Sequence, residues 1–213
     1  MGRIAQKRLV RKLDLERTLQ KIESHPSPKA ELEQYTIPTD IAAEMLFIAA
    51  FMNDDVIEKT VADLGCGSGR LAIGAAFLGA KETVGVDIDR EAVKFANMNA
   101  KKLEVKNKTQ WVIGNIDVLH GHFDTVLQNP PFGVQKRSAD RAFLLKALEL
   151  APKVYSLHKS GESNRAFIKR FIEGHGAKVT GMFPMKFNMP KLFKFHTKQK
   201  HKVEVDLYRI MET

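Results

Sequence analysis

From residue 60 onward, short apolar runs alternate with segments whose apolar residues recur at helical spacing. TVADL (60–64), ETVGVD (82–87), TQWVIGN (109–115), DTVLQ (124–128) and KVYSLH (153–158) read as strands, and 71–80, 90–102, 139–150 and 162–174 as helices. A sixth strand is expected at 177–184. KVEVDLYRI (202–210) alternates with a period of two and is expected as a last strand that can insert antiparallel. Upstream, apolar residues at 9, 13, 15, 19 and 22 predict a basic helix within residues 1–24. His25-Pro26-Ser27-Pro28 ends it, because the residue before a proline disfavours helix. Residues 32–38 look extended, and Thr39 or Asp40 is placed to cap a helix over 41–52.

Strands alternating with helices imply an α/β fold, a mostly parallel sheet covered on both faces. The 213 residues suit one domain with the N-terminal helix as an appendage. No internal repeat or low-complexity tract interrupts the pattern.

Charge adds a second layer. The formal net charge is +9. Residues 1–21 carry seven Lys/Arg against two acids, 22–152 carry fourteen against eighteen, and 153–213 carry thirteen against five. The basic excess therefore sits at both ends, around a mildly acidic middle. Such asymmetry fits a polyanionic partner, and equally a solvated surface that keeps the protein soluble. No apolar run approaches the roughly 20 residues that span a bilayer. The charged N-terminus lacks the apolar core of a signal peptide. One cysteine, Cys66, cannot form an internal disulfide and fits a reducing, cytoplasmic setting. No metal site is expected.

The candidate chemistry lies in two loops. DLGCGSG (63–69) joins a strand to a helix, where glycines permit a tight turn and helix N–H groups face a ligand. Gly65, Gly67 and Gly69 are spaced one residue tighter than the dinucleotide fingerprint, and no Gly-Lys-Ser/Thr follows as in a phosphate loop. Asp87 ends the next strand, where a carboxylate can accept both hydroxyls of a ribose. A dinucleotide enzyme or an unliganded α/β turn would also suit the loop alone. Cys66 reads as a small residue that fits the turn, since no base is placed to activate it.

The second loop is Asn129-Pro130-Pro131-Phe132, at the carboxyl end of the fourth strand, the side where such sheets bind ligands. The Asn129 amide oxygen and the Pro130 carbonyl can accept hydrogen bonds from an NH₂ group. The prolines stiffen the loop, and Phe132 offers a face on which a base can stack. An exocyclic amine is a poor nucleophile, because its lone pair is conjugated with the ring. Two acceptors favour the charge that develops on nitrogen as the amine attacks an electrophile. A plain loop with a buried phenylalanine is the bland reading.

Asp63-Leu-Gly-Cys-Gly-Ser-Gly69 followed by Val86-Asp87 resembles the cofactor site of Rossmann-like S-adenosylmethionine-dependent methyltransferases. The resemblance implies a seven-stranded sheet of order 3-2-1-4-5-7-6 with the last strand antiparallel. It assigns Asp63 and the loop Gly65, Cys66, Gly67 and Gly69 to the amino-acid half of the cofactor. Asp87, with Ile88 beside it, goes to the ribose, and Asp117 lies near the adenine. Enzymes with NPPF methylate adenine N6, guanine N2 or the glutamine amide of release factors.

Further matches narrow the choice: Leu32-Glu-Gln-Tyr-Thr36 before Ile41-Ala-Ala43, Ala142-Phe-Leu144 after NPPFG, Tyr155-Ser-Leu-His-Lys159, Lys194-Phe-His196 and Val205-Asp-Leu207. Together, over residues 9–210, they resemble the archaeal and eukaryotic enzymes that form N6-methyladenosine in small-subunit ribosomal RNA. This implies an RNA substrate and places Gln34, Tyr35 and Thr36 along the cofactor. His158 and Lys159, close to the methyl site in this fold, are expected at the RNA, as are Lys191, Lys194, His196 and Lys198 among the basic residues near the end. Phe193 and Phe195 suit base stacking or a core equally. The eukaryotic relatives pair with a small zinc-binding activator protein through the edge strand that corresponds to 109–114. An apolar edge holding Trp111, Val112 and Ile113 would suit such pairing. A protein glutamine methyltransferase and a non-catalytic RNA-binding relic are the competing classes. The basic ends speak against the first, and the intact Asp87 and NPPF against the second.

Overall fold

The computed structural model describes residues 11–29, 32–132, 139–190 and 200–213, with only the backbone of 188–190, 200 and 201. Its seven strands are β1 (Thr60–Leu64), β2 (Glu82–Asp87), β3 (Thr109–Ile113), β4 (Thr125–Gln128), β5 (Lys153–Lys159), β6 (Ala177–Pro190) and β7 (Lys200–Glu212). They form one sheet in the order β3-β2-β1-β4-β5-β7-β6. β3 to β5 pair in parallel, and β7 runs antiparallel between β5 and β6. The order reverses between β1 and β4, so a crevice opens beyond their carboxyl ends.

The helices are α1 (Lys12–Leu19), α2 (Thr39–Phe47), α3 (Arg70–Leu78), α4 (Arg90–Lys102), α5 (Ala139–Leu150) and α6 (Glu162–Glu173). They serve two cores, one on each face of the sheet. The first joins α1, α2 and α3 to residues such as Leu127, Tyr155 and Leu207. The second joins α5 and α6 to Leu64, Val86, Val126 and Tyr208.

The N-terminal helix packs on the body of the fold: Leu15, Leu19 and Ile22 are buried in the first core. Its other face keeps Arg11, Arg17 and Lys21 exposed. Residues 1–10 of that expected helix lie outside the described residues. Neither Thr39 nor Asp40 caps α2; the N-cap is Pro38, with no side-chain bond, and both residues sit in the first turn. Beyond Phe47 the helix widens into a π turn, Ile48–Met52, closed by Asn53 Nδ2 donating to the Ile48 carbonyl at 3.0 Å. Across the sheet from the crevice, Asp55 accepts from Tyr155 (2.6 Å) and pairs with Lys153 (2.7 Å) and Arg209 (2.9 Å), which ties β5 to β7. Among the described residues, no helix is long and apolar enough to cross a membrane, and no His/Cys/Asp/Glu group is placed to hold a metal.

Candidate active site

The glycine loop takes its shape from three left-handed residues: Gly65 (φ 69°), Gly67 (φ 54°) and Gly69 (φ 85°). A side chain would strain the backbone at each. Gly69 has a second reason. A Cβ there would come within 2.6 Å of the Trp111 ring, and one at Gly85 of β2 would do the same. Trp111 therefore does not decorate the sheet edge. It points inward and fills the space beneath the glycine loop.

The loop opens onto a cavity of about 520 Å³ beyond β1, β2 and β4. Of the residues the sequence singled out, Gln34, Tyr35, Thr36, Asp63, Gly65, Cys66, Gly67, Asp87, Ile88, Asp117, Asn129 and Pro131 line it. Gly69 does not; it caps α3 and supports the loop from below. Pro130 is buried beneath the wall, and Phe132 is half-buried.

Two carboxylates dominate the floor. Asp63 is 1% exposed and accepts from the Ala72 N–H at 3.0 Å. Burial, with the nearby Asp87 charge adding to it, pushes its carboxyl up to about 7. Asp87 accepts from Asp89 N at 2.9 Å through Oδ1 and from Gly67 N at 2.8 Å through Oδ2. One lone pair on each oxygen is left for a ligand. Burial raises Asp87 as well, against those two N–H donors. Asp117 is exposed at the rim, where Asn115 Nδ2 donates to it at 3.0 Å.

The cavity's other wall comes from residues 22–29 and 32–38, and its anchorage depends on residues that sequence reasoning passed over. Asp89, the N-cap of α4, is 3% exposed. Gln34 Nε2 donates to its Oδ2 at 3.0 Å, Lys29 Nζ approaches to 3.2 Å and His25 Nε2 to 3.5 Å. Asn99 of α4 exchanges 3.0 Å hydrogen bonds with the backbone N–H and carbonyl of Glu23. Arg70 donates to the carbonyls of Ile37 and Ile22. A visible signal existed for Arg70, the lone charge in the apolar helix RLAIGAAFL. Nothing local marks His25 or Asn99, whose roles depend on the path of a loop.

The same wall reaches the second loop. The Tyr35 hydroxyl donates to Asn129 Oδ1 at 2.8 Å. Its ring packs against Phe132 (centroids 5.6 Å apart) and lies nearly parallel to Phe187 of β6 (6.2 Å, 18°). Burial raises the Tyr35 pKa above its ordinary value, so the hydroxyl stays a donor at any working pH. Tyr35 thus touches the Asn-Pro-Pro-Phe loop directly, in addition to lining the cavity.

The expected RNA residues fare unevenly. Lys159 is exposed at the end of β5. His158 is not a surface residue: it is 3% exposed, hydrogen-bonded to Ser156 at 2.7 Å and edge-on to Tyr208. Strand alternation turns it into the sheet, next to Asp206 across β7. Burial pulls its imidazole down to about 4, so it is neutral at physiological pH. Lys191, Lys194, His196 and Lys198, together with Phe193 and Phe195, lie outside the described residues.

Comparison with known proteins places this site in a family. The model of the methyltransferase small domain matches residues 38–167. The chain is 42% identical to the uncharacterized protein MJ0284 of Methanocaldococcus jannaschii, over 95% of this chain and 94% of that one. It is 38% identical to the rRNA N(6)-adenosine-methyltransferase Mettl5 of Drosophila melanogaster, over 92% of this chain and 93% of that one. The crystal structure of PH1948 from Pyrococcus horikoshii superposes with a TM-score of 0.90 at 41% identity, covering 95% of this chain and 98% of that one. The sheet order, the glycine loop over paired carboxylates and these relatives lead to one conclusion: the chain belongs to the methyltransferase small-domain family, S-adenosylmethionine-dependent enzymes of Rossmann-like fold, in the branch that includes the Mettl5 proteins.

Proposed function

We propose that the protein methylates the N6 amine of an adenosine in RNA, with small-subunit ribosomal RNA as the substrate class and the cytoplasm as its place of action. The observation that carries this reading is Asn129 on the cavity wall, its amide oriented by Tyr35. The name of the Drosophila relative supports the choice of RNA and of adenosine N6.

The residues fit the cofactor. Asp63 suits the α-ammonium group and the free lone pairs of Asp87 suit the ribose hydroxyls. Ile88, which is 58% exposed, offers an apolar surface at the cavity, and Asp117 a polar rim for the adenine. Bound there, S-adenosylmethionine supplies an electrophilic methyl carbon. The chain's own part is to present the amine. Asn129 Oδ1 has two lone pairs; Tyr35 occupies one, and the other accepts from the substrate NH₂. The Pro130 carbonyl supplies a second acceptor and Phe132 a stacking surface. These acceptors would stabilise the positive charge that grows on the amine nitrogen during transfer. The proton then leaves to water, so no general base is needed.

The exposed cations of α1 and Lys159 supply phosphate contacts. A small zinc-binding activator protein completes the reading, adding a strand at β3. β3 is an open edge of the sheet, with Ile113 49% and Val118 50% exposed beside it. Gly114 N donates to Asp87 O of β2, so alternation turns the Val112 N–H toward β2 and the Ile113 N–H outward. Ile113→Pro therefore removes an outward donor and should abolish co-purification with the activator. Undiminished co-purification would place that interface elsewhere.

The function is tested by incubating the protein with methyl-labelled cofactor and either ribosomal RNA or a release-factor protein. Label should enter RNA, and Asn129→Ala should lose it. Label in protein alone would favour glutamine methylation.

A further inference from the structure

Arg70 is the first residue of α3 and the helix's only charged one. It is 7% exposed, yet it lines the cofactor cavity. Its Nη1 donates to the Ile37 carbonyl and its Nη2 to the Ile22 carbonyl at 3.4 Å. Its Nε is buried without a hydrogen-bond partner, and among the described residues no carboxylate pairs with it. Burial lowers its pKa only to about 10, so it remains a cation at neutral pH. A buried cation without a counter-charge is costly, and neutral carbonyls compensate it incompletely.

Asp63 stands at the other end of the same glycine loop. It is a buried acid that also lines the cavity, and no ion pair joins it to Arg70. At the two ends of the glycine loop the cavity thus offers a buried acid and a buried cation that do not neutralise each other. A ligand that satisfies both carries a positive and a negative group, as the amino-acid half of the cofactor does.

We propose that Arg70 receives the α-carboxylate of the cofactor's methionine half through its guanidinium, and so makes the site selective for S-adenosylmethionine over decarboxylated, aminopropyl-bearing relatives. The proposal rests on the cofactor assignment above. Its competitor is a purely structural Arg70 that staples Ile22 and Ile37 in place. A staple supports every ligand of the cavity alike, whereas a carboxylate receptor distinguishes ligands by that one group.

The test is calorimetric and needs no turnover. The intact protein is titrated with S-adenosylhomocysteine and with its decarboxylated analogue, which lacks only the carboxylate. A charge-assisted hydrogen bond predicts about tenfold or more weaker binding of the analogue to the wild type. In Arg70→Met, and in Arg70→Gln, which keeps a donor for the segment's carbonyls, the difference should shrink to less than about threefold. Equal affinity of the wild type for both ligands overturns the proposal, whether or not the variants fold. So does a variant that weakens both ligands by the same factor, since that is the signature of a staple. If the wild type binds neither ligand, the cofactor assignment fails and the proposal fails with it.

Discussion

Replacing Tyr35 with phenylalanine removes one oxygen atom and should change catalysis more than binding. The ring contacts with Phe132 and Phe187 survive; what goes is the 2.8 Å hydrogen bond from the hydroxyl to Asn129 Oδ1. A neutral hydrogen bond of this kind contributes about 0.5–1.5 kcal/mol net. The larger consequence is orientational. A carboxamide presents nearly the same shape after a half-turn, with its NH₂ where its oxygen was. By donating to the oxygen, Tyr35 favours the orientation that offers an acceptor to the substrate amine. Without it, part of the population faces the amine with a donor, and kcat should fall about three- to tenfold. Asn129→Ala, which deletes the acceptor, should cost roughly 10²–10³ in kcat, the range for removing one preorganised group at a site of developing charge. Single-turnover kinetics at saturating cofactor, alongside calorimetric cofactor affinity, separate the cases. If kcat of Tyr35→Phe stays within about twofold of wild type while Asn129→Ala is inactive, the positioning argument is refuted. If cofactor affinity falls while kcat holds, Tyr35 is a cofactor residue only.

Asp87→Ala should weaken cofactor binding by roughly 1.5–3 kcal/mol, read by calorimetry, because its ribose contacts are charge-assisted; unchanged affinity in a folded variant would remove Asp87 from the site. In the empty cavity burial holds Asp63 near 7, and a bound ammonium favours its ionised form. Binding below that pH must therefore release a proton. Affinity should climb as pH rises to about 7 and level off above it, and titrations in two buffers of different ionisation enthalpy should count the proton; Asp63→Asn should lose the slope. His158 makes stability, too, rise with pH. Its imidazole, about 4 when folded, lies below its unfolded value, so its contribution is complete above about pH 6.5 and lost as pH falls toward 4. The loss is roughly 3 kcal/mol for a group this buried, and denaturant unfolding at several pH values should show a flatter acid limb in His158→Gln.

Much of the fold is legible along the chain because the central strands are short, largely apolar runs, the last strand alternates with a period of two, and each helix carries its own spacing. The last hairpin is the exception. β6 was expected over 177–184, yet the strand passes Pro184 and continues to Pro190 opposite β7. β6 is an edge strand, so proline can lack a donor on the open side without breaking a ladder bond. Trp111 misled for a related reason. Strand position tells which side a residue faces, but the space that receives it comes from Gly69 and Gly85 on other elements. At the site, the carboxylates and the glycine loop are legible because their chemistry demands those residue types at strand ends. The Tyr35–Asn129 bond, the Asp89 anchorage and the isolation of Arg70 are not, since each joins residues 33 to 94 positions apart through the course of one irregular segment. The burial of His158 was not legible, because a histidine next to an exposed lysine resembles a surface pair until pleating turns alternate side chains to opposite faces.

The central claim concerns one atom, the nitrogen that receives the methyl group. Ribosomal RNA should be incubated with the protein and methyl-labelled S-adenosylmethionine, digested to nucleosides and separated by chromatography with mass detection. The account predicts that the label co-elutes with N6-methyladenosine and disappears in Asn129→Ala. Label in N2-methylguanosine, or in no nucleoside while a protein glutamine acquires it, would contradict the account.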